Sequence, residues 1–522
     1  MAKKTIGCLI IMIFGLITMM QAQQSEKALS LSLDECIQKA LENNLGIAVE
    51  ILNPELAGIS ISLAKEKFMP QFSFSYNKRD TNSASYSWIE AAENITSIYN
   101  DYSAQITQLI PTGGNFAISL DSYKNDTNRS FQTINPRYGS TLRLNFSQPL
   151  LKNFGLNISR KEIIVAKNNK DISENNFRKS LQDTIYSVEE AYWNLVYSIE
   201  NLKVRQQSLE LAKNLLEKNK KAVEIGTMAP IEILNAQAEV ATREADILEA
   251  EALVKNNEDR LKTIMNLQGE HQEVDLAQIL PKDQPAYEKK EVSLEDALVI
   301  AMENRPDLQA TRIDLKNKEI NLGYARNQLL PDLSLQASYW SPGVSGDQII
   351  YLNNNPLTGI ILGKIPGGSS DALSDAFNFR YKNWSVGLTL SVPINSVLSR
   401  ASYAQARVNL EQSMLKLKNQ EQQIFLEIKN SVRAVQTNYK RVQAYKAARE
   451  LAETKLNAEE EKFKVGLSTN YLVLQYQRDL ANAQTMELRA IIDYNLSLAR
   501  LNQALGITLK EKNVTISDIL GN

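Results

Sequence analysis

The sequence predicts an α+β membrane protein, built from two structural repeats that each combine β-strands with a very long helical hairpin. Three observations predict this fold class. The chain repeats itself at nearly constant offsets, two segments of more than sixty residues lack both proline and glycine, and several short segments alternate strictly between apolar and polar residues. Alternation with period two is typical of strands with one apolar face, and segments without helix breakers are typical of helices.

Internal repetition is the strongest of these signals. The segment SLDE at 32–35 recurs as SLED at 293–296, an offset of 261 positions. Further along, Arg160 and Gly226 recur as Arg400 and Gly466, an offset of 240 positions. The sequence therefore predicts one fold made of two copies, with the first copy longer. The predicted limits are a first repeat over 23–269, a linker over 270–292, a second repeat over 293–506 and a C-terminal tail over 507–522.

Each repeat is expected to begin with one helix, over 31–69 in the first copy and 293–330 in the second. Ser32 and Ser293 are the expected N-caps, because each has an acidic residue three positions later. Pro54 is expected to kink or break the first of these helices.

The alternating segments follow, within about 71–149 in the first copy and about 332–392 in the second. The second copy offers two strands. The first copy offers two or four, because it contains an extra alternating pair near 102–106 and 116–120, joined by the turn PTGGN at 111–115. Two interpretations of this pair remain open: two further barrel strands, or a hairpin folded outside the barrel. The segments 78–100 and 341–380 are predicted to be long loops.

Very long helical hairpins complete each repeat, over 160–268 and 400–506. A helix of sixty-odd residues is roughly 100 Å long at its usual rise. Gly226 and Gly466 mark the reversals at the hairpin tips, and Thr227 or Ser468 is expected to cap the returning helix. The apolar stripe from Ile185 to Leu202 keeps helical spacing and predicts a packing seam.

Composition excludes several classes of function. Lys and Arg total 58 against 60 Asp and Glu, so no basic excess exists to bind nucleic acid. The chain has one histidine, His271, and two cysteines, Cys8 and Cys36, which argues against histidine catalysis, Cys/His metal sites and a disulfide framework. No catalytic residue, metal site or cofactor is therefore expected.

The N-terminal residues 1–22 have the features of a secretory signal peptide. Lys3 and Lys4 precede about fifteen mostly apolar residues, and Ala22 is a suitable small residue at the cleavage site. No later segment is expected to reach eighteen apolar residues, so a membrane-spanning part would have to be made of strands. Four to six strands cannot close a barrel alone, so the chain is expected to oligomerise.

The chain resembles the outer membrane efflux protein family, the TolC-like channels, over nearly the whole mature sequence. The resemblance rests on the duplicated plan, on LNFSQPL at 144–150 with its echo VPI at 392–394, and on the two tips. These read VEIGT at 223–227 followed by ILNAQ at 233–237, and FKVGLS at 463–468 followed by LVLQ at 472–475. The order and spacing of these segments are more specific than any one of them.

This resemblance implies a homotrimer in the outer membrane of a Gram-negative bacterium. A β-barrel shared by the three chains would span the membrane, and the helices would form a tunnel through the periplasm. The tips would dock a periplasmic adaptor, also called a membrane fusion protein, which couples to an inner-membrane transporter. The family has no enzymatic activity. With the extra strand pair, a trimer would close a barrel of about 18 strands, whereas family members more often supply four strands per chain.

The candidate site residues also follow from the resemblance. The expected adaptor-docking tips are Gly226, Thr227, Gly466, Leu467 and Ser468. Glu232 is a possible pore constriction, because family members often carry acidic residues about two turns after the tip glycine; the alternative is a solvated helix carboxylate. The matching position after Gly466 is Leu472, so a trimer would carry one acidic ring. Two deeper carboxylates could also face the lumen, Glu239 and Asp479.

Three functional hypotheses follow. The first is a passive export duct for small molecules, coupled to an adaptor and a pump. The second is a duct for a polypeptide in type I secretion, which the sequence does not separate from the first. The third belongs to another class, a secreted periplasmic coiled-coil scaffold without a pore. The exported substrate and the identities of pump and adaptor are not readable from the sequence.

Overall fold

A computed structural model describes residues 29–86, 90, 93–267 and 278–515 of the chain. The predicted signal peptide and His271 lie outside the described residues. The chain divides into two compact units. We call them the helical unit (residues 29–54, 174–267, 278–310 and 418–515) and the sheet unit (residues 55–86, 90, 93–173 and 311–417).

The elements alternate along the chain as the repeat predicts. The strands are β1 (Leu29–Leu31), β2 (Gln71–Ala84), β3 (Asn94–Leu109), β4 (Asn115–Thr127), β5 (Ile134–Pro149), β6 (Ile279–Pro281), β7 (Asp332–Tyr351), β8 (Ile361–Ile365) and β9 (Asn383–Ser391). The helices are α1 (Leu33–Asn43), α2 (Leu45–Glu50), α3 (Leu52–Glu66), α4 (Leu156–Ser159), α5 (Lys161–Glu224), α6 (Ile231–Ile264), α7 (Leu294–Asn304), α8 (Pro306–Asn327), α9 (Ser369–Phe377), α10 (Val397–Lys464), α11 (Asn470–Leu505) and α12 (Thr508–Glu511).

The helix expected at the head of each repeat is divided in both copies. In the first copy a break was expected at Pro54, and α2 ends at Glu50 with Pro54 in the first turn of α3. Both copies break at equivalent positions, Asn44 and Arg305, where the backbone is extended. Asn44 accepts a hydrogen bond from the backbone N–H of Ile47 and so caps α2. Arg305 precedes Pro306, and a proline disfavours helical conformation in the residue before it. The predicted caps are confirmed, since Ser32 and Glu35 form a capping box and Ser293 accepts from the N–H of Asp296.

The predicted long helices are confirmed as α5 with 64 residues and α10 with 68 residues. In the helical unit, the predicted seam of α5 is buried, with Ile185, Val188 and Tyr192 completely inaccessible to solvent. This seam packs with α1, α6 and α11 in the main apolar core, which also contains Cys36, Leu261 and Ile492.

Two segments predicted as a linker and a tail take part in this core. Within 270–292, β6 pairs in parallel with β1, and Ile279 is buried. Asp283 accepts hydrogen bonds from the hydroxyl of Tyr192 at 2.8 Å and from the backbone N–H of Leu33 at 2.6 Å. Within the described part of the tail, Leu509 packs against the same core.

The sheet unit contains one antiparallel sheet in the order β2-β3-β4-β5-β7, with β9 and β8 both pairing with β7 on its other side. The extra pair, β3 and β4, lies inside this sheet. Fourteen residue pairs join β2 to β3, and eleven join β4 to β5. Six long strands therefore belong to one sheet, and the interpretation of a hairpin folded outside it is wrong.

One face of the sheet is apolar, and we call it the apolar band. Side chains on alternate positions of all six long strands form it, and their registers drift steadily from β2 to β9, as the strand tilt of a barrel requires. On four strands an aromatic residue ends the apolar band. On β2, β7 and β9 it is the end of the apolar run that lies farther along the strand from α3, α8 and α10 respectively, and the aromatic residue of β3 pairs with that of β2. The four aromatic residues are Tyr76, Tyr102, Tyr339 and Trp384. The band includes Phe72, Phe74, Ile106, Phe116, Ile118, Leu142, Leu144, Leu335, Val386, Leu388 and Leu390.

The predicted loops at 78–100 and 341–380 are wrong. Strand β2 continues to Ala84, β3 begins at Asn94, and β7 continues to Tyr351. The segment after β7 contains β8 and the helix α9. Beyond the apolar band both faces of the strands are mostly polar, so no period-two pattern of hydrophobicity marks them.

One helical segment, residues 45–66, is apolar and long enough to cross a membrane by length and composition, which the sequence expectation had excluded. Within the most apolar stretch of 18 residues in this segment, only 11% of the residues are buried. The exposed apolar residues of α3 recur at heptad spacing, and they are Leu52, Leu56, Ile59 and Leu63. A heptad stripe of this kind is the seam of a coiled coil, so it indicates a helix partner.

Cys36 provides a test of the core of the helical unit. The side chain is fully buried, and this burial raises the pKa of the thiol to about 12. At pH 8 the thiolate fraction would be roughly a thousandfold lower than for an ordinary cysteine. We therefore expect no labelling of the folded protein by a maleimide and complete labelling in denaturant. A Cys36→Ser variant that still labels would trace the signal to Cys8, and rapid labelling of native Cys36 would contradict the packing.

Candidate functional site

The two predicted tips have the same local geometry. Gly226 and Gly466 lie in the left-handed region, with φ of 80° and 78°. At the first tip the N–H of Thr227 donates to the carbonyl of Ala222 at 2.9 Å, and at the second the N–H of Leu467 donates to the carbonyl of Lys462 at 2.9 Å. This six-to-one hydrogen bond ends a helix at a glycine and satisfies carbonyls that the helix leaves free.

The expected capping roles of Thr227 and Ser468 are wrong. The hydroxyl of Thr227 donates back to Ala222, and that of Ser468 donates to Glu459 at 2.6 Å, so both finish the outgoing helix. The returning helices begin later. Thr469 caps α11 by accepting from the N–H of Leu472, and the N-cap of α6 is Pro230, which makes no side-chain capping hydrogen bond. The cause is the glycine turn itself, which uses the next residue's N–H to close the preceding helix.

Large apolar side chains at both tips are exposed. Ile225, Val465, Leu467 and Tyr471 are between 69% and 79% accessible to solvent. Scattered single exposed apolar residues are normal on a protein surface, but here they adjoin the two turns on which the helices reverse. Together with Gly226, Thr227, Gly466 and Ser468 they form what we call the tip surfaces.

Glu232 takes part in a series of side-chain hydrogen bonds that connects the two hairpins. Its carboxylate accepts a hydrogen bond from Asn470 at 3.1 Å, and Asn470 in turn accepts one from the buried side chain of Asn219 at 2.9 Å. Asn219 belongs to α5, Glu232 to α6 and Asn470 to α11, so three helices meet here. The proposed role of Glu232 at a pore constriction remains a prediction.

A buried arginine lies deeper in the same hairpins. Arg243 of α6 is 4% exposed and donates to Glu239 at 2.9 Å and to the carbonyl of Ser208 at 2.6 Å. It also donates to the side chain of Gln477 at 3.3 Å and to the carbonyl of Leu474 at 3.2 Å. One guanidinium thus joins α5, α6 and α11, with its fixed fork of donors divided among them.

The expectation that Glu239 faces a lumen is wrong, because this side chain is buried and ion-paired with Arg243 and Arg478. Burial alone would raise the pKa of Glu239. The hydrogen bonds from Arg478 and Arg243 outweigh that effect, so the pKa lies below its usual value. Asp479, the other deep carboxylate, is exposed. We call the group formed by Ser208, Glu239, Arg243, Gln477 and Arg478 the hairpin clamp.

Sequence reasoning missed this clamp. The only local signal is the spacing of four between Glu239 and Arg243, which is common on solvated helix faces. The partner residues lie more than 200 positions away on α11, and nothing in a single sequence connects them.

The clamp predicts a specific acid sensitivity. Because the pKa of Glu239 is depressed in the folded state, its ionised form stabilises that state above about pH 4.5, and the contribution is lost as the pH falls further. We expect Glu239→Gln to speed amide hydrogen exchange in the hairpins at pH 7, because it weakens the pairing with both arginines. The difference between wild type and variant should shrink below about pH 4.5.

Asp479→Asn is the matched control, since it removes an exposed carboxylate next to Arg478. We expect exchange in this variant to follow wild type at every pH. A Glu239→Gln variant that exchanges like wild type at pH 7 would contradict the clamp.

Comparisons with known proteins agree with the geometry. The family model described as outer membrane efflux protein matches residues 36–267 and 297–507, one range in each repeat. Outer membrane protein TolC of Vibrio cholerae is 24% identical over 446 residues, covering 81% of this chain and 92% of the relative. Alkaline protease secretion protein AprF of Pseudomonas aeruginosa is 23% identical over 493 residues, covering 92% of this chain and 86% of the relative.

Solved structures share the fold. The outer-membrane channel OprN superposes with a TM-score of 0.64 at 16% identity, covering 91% of this chain and 89% of that one. The CmeC outer membrane channel of Campylobacter jejuni gives 0.62 at 18% identity, covering 93% and 90%. With the family match spanning most of both repeats, these findings establish that the chain belongs to the outer membrane efflux protein family and is an export channel of the Gram-negative outer membrane.

Proposed function

We propose that three copies of the chain close one barrel in the outer membrane and that the hairpin tips connect this duct to a periplasmic adaptor and an inner-membrane transporter. The observation that carries the proposal is the pair of open sheet edges. Among the described residues, β2 pairs only with β3, and β9 pairs only with β7. An unpaired strand edge is not tolerated in hydrocarbon, so each edge needs a strand from another copy.

The geometry of the edges suits such closure. Six antiparallel long strands place β2 and β9 at opposite ends of the sheet with opposite directions. The β9 edge of one copy would therefore pair antiparallel with the β2 edge of the next, and the pattern would repeat around a ring. Three copies would give about 18 strands, a size at which barrels enclose an aqueous channel.

The face opposite the apolar band supports a water-filled lumen. Its side chains are polar and bonded across strands, with Ser103 donating to Asp121 at 2.6 Å and Ser338 donating to Asn145 at 2.7 Å. On the same face the guanidinium of Arg143 lies 5.3 Å from the ring centroid of Trp340. A polar interior and an apolar exterior are the arrangement of outer-membrane barrels.

The heptad stripe of α3 supports association outside the membrane as well. Its four apolar residues are 50% to 62% exposed, too much for a stripe whose only partners belong to its own chain. Packing against a helix of a neighbouring copy would cover it.

The exported substrate defines two versions of the function. Relatives include the secretion protein AprF and, at 21% identity over 63% of its own length, the antibiotic efflux pump outer membrane protein ArpC of Pseudomonas putida. We favour small-molecule efflux, with polypeptide secretion as the second candidate. Deleting the gene separates them: loss of resistance to toxic small molecules supports efflux, and loss of a single exported protein supports secretion. The third hypothesis, a secreted periplasmic coiled-coil scaffold without a pore, disagrees with membership of a family of outer membrane channels.

The number of chains in one particle tests the shared barrel. We expect the detergent-corrected mass of protein extracted from the outer membrane to correspond to three chains. The double variant Leu56→Glu and Ile59→Glu should lower that mass, because it places two charges on the apolar stripe. Ser62→Glu is the control, because Ser62 is exposed and lies about a quarter turn around α3 from the apolar stripe. This variant should leave the trimer intact. A monomeric wild type would contradict the shared barrel.

A second prediction concerns the tips. No atom lies within 4 Å of a Cβ added at Gly226 or Gly466, so substitution there meets backbone strain rather than a clash. We expect arginine at either position to abolish export while the trimer remains, because it changes a docking surface. Asparagine tolerates the left-handed conformation and should preserve export, which makes it the control for backbone strain. Normal export by both arginine variants would refute docking through the tips.

A further inference from the structure

The helix α9 packs on the same side of the sheet as the apolar band. Ala372 and Ala376 are fully buried against the strands. A Cβ added at Gly343 of β7 would lie 2.0 Å from the carbonyl oxygen of Ala372, so this glycine permits close contact of helix and strand. The hydroxyl of Ser345 donates to Asp371 at 3.3 Å. Gly343 and Ser345 alternate in phase with Tyr339, the aromatic end of the band on β7, and so share its face.

The position of α9 along the strands is also defined. It covers β7 immediately beyond Tyr339, where the outward face changes from apolar to polar side chains. The chain then returns towards the band, and the ring of Phe379 lies 5.6 Å from that of Tyr339. Trp384 begins the apolar run of β9 seven residues after the helix ends. The helix and this return segment therefore adjoin the aromatic end of the apolar band.

Large apolar and aromatic side chains are exposed along this segment, among polar and basic ones such as Ser374, Asn378, Arg380 and Lys382. Leu373 is 37% exposed and Phe377 is 52% exposed, one helical turn apart on α9, and they are followed by the exposed residues Tyr381 and Trp384. The two carboxylates of the helix have partners within the unit. Asp371 accepts from Ser345, and Asp375 pairs with Arg380 at 3.1 Å. The segment thus presents apolar and aromatic side chains, interspersed with polar and basic ones, beside a face that is apolar already.

We propose that α9 and residues 378–384 form an interfacial collar that lies at the boundary between lipid headgroups and acyl chains of the outer leaflet, with Leu373 and Phe377 inserted among the lipids. The proposal rests on the proposed membrane position of the apolar band. Amphipathic helices that lie in the membrane interface bury an apolar face about 5–10 Å into this boundary, and Trp and Tyr are enriched at the same depth. The collar would set the depth of the barrel on the β5–β7 side.

Single-cysteine labelling tests the collar in the whole protein. In a Cys36→Ser background, Leu373→Cys and Phe377→Cys would carry an environment-sensitive fluorophore such as NBD. Ser374→Cys, exposed on the same helix between them, is the matched control, and Val386→Cys reports on the apolar band itself. The variants are placed in phosphatidylcholine vesicles, with or without lipids that carry a nitroxide quencher on the acyl chain near the headgroup.

We expect blue-shifted emission and loss of intensity by quenching at positions 373, 377 and 386, and water-like, unquenched emission at position 374. Water-like emission at 373 and 377 with a quenched 386 would overturn the collar and leave the barrel proposal standing. Blue-shifted but unquenched emission at 373 and 377 would also overturn it, because a protein surface would then cover the helix. An unquenched 386 would overturn the membrane position of the band together with the collar.

Discussion

Backbone hydrogen bonding in hydrocarbon is the constraint on which the rest of this structure depends. A strand in a membrane has no water to satisfy its N–H and C=O groups, so a sheet must close on itself. Among the residues that the structure describes, the six long strands leave two edges open, and six strands are too few to close a barrel alone. This requirement accounts for the need for further copies, and the opposite directions of β2 and β9 allow one copy to pair antiparallel with the next.

The helical unit meets a different constraint, because its helices are joined partly by buried charge. A buried arginine is costly unless its donors are satisfied, and Arg243 finds acceptors on three helices. Replacing such a group by an apolar one can cost little stability, so the network is better understood as fixing how the hairpins align than as adding much to their stability. Asn219, Asn470 and Glu232 extend the same kind of contact towards the tips.

Sequence patterns identified the elements that have one apolar and one polar face, and those that are long and free of helix breakers. Alternation located the apolar part of every long strand, and the absence of glycine and proline located α5 and α10. These patterns failed where both faces of a strand are polar and where helical sequence continues on both sides of a break. Residues 78–84 and 341–351 form strands with few apolar side chains, so the sequence pattern alone favours loops there. The breaks at Asn44 and Arg305 were missed because helical residues flank both of them, although Pro306 gave a local hint.

The sequence by itself determined the fold class, the duplication, the two glycine tips and the membership of the family, because these depend on periodicity, local backbone preference and the order of short segments. Only the tertiary structure placed the extra hairpin within the sheet, gathered Glu239, Arg243 and Gln477 into one clamp, and laid α9 on the apolar side of β7. The physical reason is distance along the chain. Contacts between separate elements, at separations that reach 234 positions for Arg243 and Gln477, depend on how whole elements pack, and no local preference records that.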